Sequence, residues 1–261
     1  MIDIHSHILN NVDDGSQSIE ESLFLISNAI EEGITSIICT PHYIEYSDYN
    51  MKKDEVSKYY NILNNIVKEK KLPINLYLGS EIKCEKTNIM DYFDNNLVST
   101  LNNSRYILFE ISLIDYCVDL PEVIYDIIVS GYIPILAHPE RCIYFQHNPD
   151  IIYKLVKIGC LIQINQDSIL GENGNKAKKI ALLLLKHKIV HFVASDGHNK
   201  NRLVSLKDSY NSLNGKISDI YLQQIFETNG QNVIDDKIIK TNEYSKIIKK
   251  SYLFGLYVKF V

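Results

Sequence analysis

Asp3-Ile4-His5-Ser6-His7 sets two histidines and an aspartate on alternate positions of a short run near the start of the chain. In a strand, side chains two residues apart share a face, so this spacing points both imidazoles and the carboxylate the same way. An apolar run closing on a histidine or carboxylate recurs five more times: Ser36–His42, Leu76–Glu81, Tyr106–Glu110, Ile133–His138 and His191–His198. One such ending is ordinary, because the first solvated residue after a strand is commonly polar. Six in one chain point to ligand-type residues gathered where strands end.

Between these runs lie segments of helical spacing, and the βαβα order predicts a parallel sheet covered by helices. Ser18-Ile19-Glu20-Glu21 reads as a capping box, followed by Leu23, Leu25, Ile26, Ala29 and Ile30 before Gly33 stops the helix. Further helices are predicted over about 51–71, 120–130, 149–158, 173–187, 202–213 and 219–228. A seventh strand is predicted at Cys160–Asn165, ending without a strong metal ligand. No Pro/Gly/Ser-rich linker interrupts the 261 residues, so the expectation is one domain over 1–261, a closed or nearly closed α/β barrel. Closing the strands in parallel brings their C-terminal ends to one rim, where ligand-type residues converge. Residues 245–261, with Lys246, Lys249, Lys250 and Lys259 among apolar neighbours, are expected to pack on the domain as a tail. A membrane or partner contact is the alternative for that tail.

A net charge of -5 and a pI near 5.9 argue against a nucleic-acid partner, which selects for a basic footprint. The five cysteines are odd in number and form no C-x-x-C pair, which fits reduced thiols and a cytoplasmic location. No stretch approaches the roughly 20 apolar residues of a bilayer span, and no leader pattern opens the chain, so no membrane insertion is expected. Of three arginines, Arg141 and Arg202 lie three and four residues beyond His138 and His198, whereas Arg105 precedes a strand and reads as structural. No cysteine is followed by an arginine six residues on, and no G-x-x-x-x-G-K-[ST] loop is present. Cysteine-phosphatase and P-loop chemistries are thereby removed, leaving a metal-activated nucleophile.

Asp196-Gly197-His198 repeats the alternation of the first run, and Gly197 permits close backbone approach between two ligands. Glu81 and Glu110 each close an apolar run. His42 and His138 stand beside prolines at strand-to-loop corners, and Asp14 belongs to Asp13-Asp14-Gly15, by itself an ordinary turn. Asp3 is a candidate to orient a ligating histidine through its other ring N–H. His147, His187 and His191 lack this context and are expected at the surface or at helix ends. Oxygen and imidazole donors without cysteine suit Mn²⁺, Fe or Zn²⁺ in a catalytic cluster, and nine candidates imply more than one ion.

In order along the chain stand D-I-H-S-H, D-D-G, T-P-H, G-S-E, H-P-E-R and S-D-G-H. From Met1 to about Asn232 the chain thereby resembles the bacterial PHP-type protein-tyrosine phosphatases of capsule and exopolysaccharide operons; N-V-D-D-G-S, H-P-E-R and length carry the assignment to that branch. The resemblance implies a distorted, TIM-barrel-like (β/α)7 barrel with up to three divalent ions, Mn²⁺ first and Fe or Zn²⁺ as alternatives. It implies one ion on His5, His7, Glu81 and Asp196, a second on bridging Glu81 with Glu110 and His138, and a third on Asp14, His42 and His198. A bridging hydroxide would attack phosphotyrosine, with Arg141 gripping the phosphate and Arg202 assisting. The implied partner is the tyrosine-rich C-terminal tail of an autophosphorylating bacterial tyrosine kinase that controls polysaccharide export. Competing expectations are a small-molecule phosphatase acting on an ester such as histidinol phosphate, a non-catalytic metal-binding scaffold, and a nuclease. An oligomer through the tyrosine-rich surface or the tail is a further expectation.

Overall fold

Each apolar run forms a strand, and two of them form two. In the computed structural model, which describes residues 1–85, 89–114, 119–240, 243–252 and 257–260, the strands are β1 Ile2–Ser6, β2 Ser36–Cys39, β3 His42–Tyr43, β4 Asn75–Leu78, β5 Glu81–Lys83, β6 Tyr106–Glu110, β7 Ile133–Leu136, β8 Leu161–Asn165 and β9 Phe192–Ala194. Thr40-Pro41 separates β2 from β3, because proline offers no N–H to a ladder. Gly79-Ser80 separates β4 from β5, and a Cβ on Gly79 would lie 2.6 Å from Leu101 Cδ2, so a neighbouring turn presses on the chain there.

The leading halves pair in the order β1-β2-β4, and the trailing halves continue β3-β5-β6-β7-β8-β9, parallel throughout. Hydrogen bonds from Asp196 N to the His5 carbonyl (2.9 Å) and from His7 N to the Gly197 carbonyl (2.8 Å) join β9 back to β1. The circuit is thus seven staves, two of them broken: the distorted (β/α)7 barrel that the resemblance implies.

Two buried layers follow from period-two alternation. Ile2, Ile4, Tyr106, Leu108, Ile135, Leu161, Phe192 and Ala194 form one cluster with Val233, while Ile37, Ile107, Phe109, Leu136, Ile162 and Val193 belong to the larger cluster formed with the helices. The first layer's parity runs on to Glu110, Gln163 and Asp196, so the strands that fill the barrel with hydrocarbon end in polar donors.

Ser18 caps the helix Ile19–Glu31, its Oγ accepting from Glu21 N at 3.1 Å, and the Glu21 carboxylate reaches back to Gln17 N at 3.0 Å, one residue before the cap. Helices also form at Lys53–Glu69, Leu120–Val129, Asp150–Lys157 and Asn175–Lys186. The helix expected from 202 starts at Lys207, because Arg202 is held in an antiparallel bridge to Asn199. The last expected helix continues from Asp219 through one π turn to Ile234.

After the helices, Tyr244 Oη meets His191 Nε2 at 2.7 Å, Ser245 N donates to the His187 carbonyl, and Ile247 is buried. Lys249–Tyr252 and Tyr257–Phe260 then pair as an antiparallel hairpin, which the sequence pattern does not announce. His147 is exposed at the end of a short helix and His187 caps the C-terminus of the helix Asn175–Lys186, as expected, although this segment buries His187; His191, expected in such a place, is instead buried beside β9 under Tyr244. Cys39, Cys84, Cys142 and Cys160 are free buried thiols, and Cys117 lies outside the described residues. No helix among the described residues is long and apolar enough to cross a membrane.

Candidate metal centre

All nine ligand candidates meet at the rim formed by the strand ends. His5 Nε2 lies 3.1 Å from Glu81 Oε2, 3.4 Å from Asp196 Oδ1 and 3.1 Å from His7 Nε2. His7 Nε2 in turn lies 3.3 Å from Glu81 Oε2 and 3.4 Å from Asp196 Oδ1. A second group surrounds Asp14 Oδ1, with His42 Nε2 at 3.6 Å and His198 Nε2 at 3.5 Å, and His7 belongs to it as well. A third gathers Glu81, Glu110 and His42, with His42 Nδ1 3.0 Å from Glu81 Oε2 and 3.5 Å from Glu110 Oε1. His138, assigned to that group by resemblance, approaches the same carboxylates from the other side, its Nε2 2.9 Å from Glu81 Oε1 and 3.8 Å from Glu110 Oε2.

Backbone strain positions two of these residues. His138 (φ 34°) and Asp196 (φ 54°) are left-handed, a conformation that costs of order 1–3 kcal/mol away from glycine and collects at functional sites. His138 is therefore not in the extended form that a following proline favours; Pro139 instead opens a 3₁₀ turn, Pro139–Arg141, that swings Arg141 over the site.

The histidines are oriented by residues that sequence reading missed. His5 Nδ1 faces Gln163 Oε1 at 3.0 Å, and Gln163 and Asn165 form a chain that ends on Asp196 Oδ2, 2.6 Å from Asn165 Nδ2. His7 Nδ1 faces Asp13 Oδ2 at 2.7 Å, and Asp13 also accepts from His42 N and Gly15 N. Asp3 orients no ring. The β1–β2 register shifts between Asp3 and Ser6, and the Asp3 carboxylate accepts from Ser195 N and Ser195 Oγ, tying β1 to the last strand. The adjacent pair in D-D-G was the available signal for Asp13. Lys83 was legible as well: two residues beyond Glu81 on β5, its Nζ sits 3.2 Å from Glu110 Oε1.

Burial raises every buried carboxylate's pKa, yet here it loses to the histidines. Against burial, His5 and His42 hold Glu81 well below the usual carboxylate range, and His5, His7 and Arg202 do the same for Asp196. Asp13, also buried, falls to about 2 beside His7. In return His5, His7 and His42 rise above the ordinary imidazole value although burial pulls them down. His198 goes the other way, to about 2, through burial and the neighbouring His7.

The donor set fits cations. Acceptors opposite both Nδ1 atoms hold a ring proton there, so the Nε2 atoms of His5 and His7, 3.1 Å apart, are the positions where a cation would take the place of a proton. Among the described residues, buried Glu81 Oε2 and His42 Nδ1 make no hydrogen bond, although they lie 3.0 Å apart. Separations of 3.1–3.4 Å among four donors match the edges of a coordination shell with bonds of roughly 2.1 Å. A divalent ion there would supply the positive charge that Glu81 and Asp196 otherwise draw from the raised histidines.

Above the cluster opens a cavity of about 250 Å³. Its cationic wall is Arg141, with Nη1 3.0 Å from Asp196 Oδ2, and Arg202, which pairs with the same oxygen; Ile44, Tyr49 and Leu113 line it elsewhere. Asp196 thus holds both guanidiniums at the mouth. Cys142 is buried and does not line the cavity.

A family model described as "Capsular polysaccharide synthesis, CpsB/CapC" matches residues 1–235. The chain is 35% identical over 258 residues to a putative tyrosine-protein phosphatase CapC of Staphylococcus aureus, covering 98% of this chain and all of that one. It is 35% identical over 199 residues to the tyrosine-protein phosphatase YwqE of Bacillus subtilis, covering 76% and 78%. Among solved structures, one from work on YwqE of Bacillus subtilis and CpsB of Streptococcus pneumoniae, described as metal-dependent tyrosine phosphatases, superposes with a TM-score of 0.87 at 28% identity, over 95% of this chain and all of that one.

Proposed function

Because the chain belongs to the capsular polysaccharide synthesis CpsB/CapC family, we propose that its metal centre hydrolyses phosphotyrosine on a protein. The observation that carries this reading is the pairing of a nine-residue N/O donor cluster with two guanidiniums at one mouth. Divalent ions, Mn²⁺ first, would supply an activated water-derived nucleophile and neutralise phosphoryl oxygens. His5, His7, Glu81 and Asp196 would hold one; Glu81, Glu110 and His138, with His42 beside them, a second; Asp14, His42 and His198 a third.

Arg141 binds phosphate oxygens through its planar fork. Arg202 stands on the opposite side of the shared Asp196 oxygen and completes the clamp. Asp13 and Gln163 keep the Nε2 lone pairs of His7 and His5 aimed at the centre. The open mouth, where the Asp14 side chain is 46% exposed, admits a phosphotyrosine carried on an extended segment, and the kinase tail implied by the sequence is the proposed substrate.

Phosphate release from a phosphotyrosine peptide, with Mn²⁺ and after chelation, tests this beside a His5→Ala variant. Mn²⁺-dependent release lost in the variant is expected. Metal-loaded protein that left phosphotyrosine intact but cleaved histidinol phosphate would replace the reading with a small-molecule phosphatase.

A further inference from the structure

Charge is divided unevenly over this chain. Residues 174–191 carry five lysines and residues 244–261 four, with no Asp or Glu in either segment, so the net -5 divides into +9 on these two segments and -14 on the rest. The fold brings the segments together: Ser245 N donates to the His187 carbonyl, and Phe260 lines a cavity with Lys176, Lys179 and Lys186 of the helix Asn175–Lys186. A second cavity on that helix includes Lys188 and Lys216. The cavities, about 410 and 370 Å³, share Leu182 and Lys186, and neither is lined by an acidic residue.

Lys176, Lys179, Lys186, Lys188 and Lys216 are exposed, and none enters an ion pair among the described residues. Lys176 to Lys186 spans about 15 Å at the rise of an α-helix. Leu182, 42% exposed, lines both cavities among them, while Ile220 at 75% and Ile248 at 49% are exposed next in sequence to Tyr221 of the second cavity and within the C-terminal segment.

We propose that this face docks on an anionic phospholipid surface. Charge complementarity is the argument, and the kind of cation selects the occupant. All the positive charge is lysine, whose ammonium is a mobile point charge; the face has no arginine fork with which to fix one carboxylate or phosphate. A fluid layer of anionic headgroups needs no fixed geometry, and exposed aliphatics among lysines are what an interfacial surface inserts at the headgroup boundary. No residue that lines these two cavities lines the cavity above the metal centre, so docking and phosphate hydrolysis are separable.

The test is sedimentation of the full chain with phosphatidylcholine vesicles, with or without roughly a third phosphatidylglycerol, at about 0.1 M and 0.5 M salt, where screening lengths differ by about a factor of two. Binding to the anionic vesicles alone, weakened by salt and reduced at least tenfold in a Lys176→Glu/Lys179→Glu/Lys186→Glu variant, is expected. That variant should keep wild-type hydrolysis of a small aryl phosphate, so loss of hydrolysis in the wild type would count against the phosphatase reading and leave the docking proposal standing. No binding to anionic vesicles, or binding unchanged in the variant, overturns the proposal. Binding of an acidic glutamate-rich peptide in place of vesicles also overturns it, assigning the face to a protein.

Discussion

At the scale of single residues, Asp196 is the joint of the site. Its Oδ1 faces His5 and His7, and its Oδ2 faces both arginines, so the proposed metal shell and the proposed phosphate clamp share one carboxylate. Arg141→Ala should lower kcat/KM for a phosphotyrosine peptide by roughly 10²–10³, the scale of removing one donor to a developing oxyanion, with bound-metal stoichiometry unchanged. Asp13→Ala frees the His7 ring and the His42 backbone N–H together. Metal titration should show roughly 10–100-fold weaker binding, as for other residues that orient ligating histidines. His191 reports on folding instead. Buried between Ile162 N and Tyr244 Oη, its pKa is pushed down to about 3 by burial. The unfolded chain, titrating near 6.5, takes up a proton the folded chain refuses, so this contribution is complete above pH 6.5 and is lost as pH falls toward 3. His191→Gln, which can still accept and donate, should lose ~2 kcal/mol less stability than wild type between pH 7 and pH 5 in urea titrations.

At the scale of elements, the broken staves matter most. Alternation read from the sequence treats Leu76–Glu81 as one strand, but the chain breaks at Gly79-Ser80, where Leu101 packs close to Gly79, and Glu81 begins a new strand in a different sheet. The break turns Glu81 to the centre, where it faces His5, His7, His42 and His138. The D-D-G turn has a comparable constraint. A Cβ on Gly15 would lie 2.0 Å from the His7 carbonyl oxygen, so the turn can sit under His7 only because residue 15 has no side chain. Gly15→Ala should displace Asp13 and Asp14 together and reduce turnover by about 10²-fold, the cost of misplacing reacting groups by about an ångström. Far-UV circular dichroism of that variant should match wild type, since no helix depends on the turn.

At the scale of the whole molecule, the centre draws on the first strand, the two broken staves and the last strand, so ions bound there would hold the barrel closed. Chelation should lower Tm by several degrees, and Mn²⁺ at a hundredfold excess over its Kd should restore ~2.7 kcal/mol. Differential scanning calorimetry with and without chelator checks this. Much of the molecule is legible in the chain itself. Strand positions, the capped first helix, parallel order and the donors at the strand ends follow from local periodicity and from where polar residues end apolar runs, whereas Asp14 stands out only within the ordered set of motifs. Gln163 as the partner of His5, the burial of His187 and His191, and the meeting of two lysine-rich segments needed the fold. Each depends on distances between residues far apart in sequence, from Gln163 against His5 to Phe260 against Lys176. Side-chain type and period are written locally, so the sequence alone determined the barrel and the candidate donors at its strand ends; which residue aims which ring is set by how the staves close, and only the tertiary structure decided it.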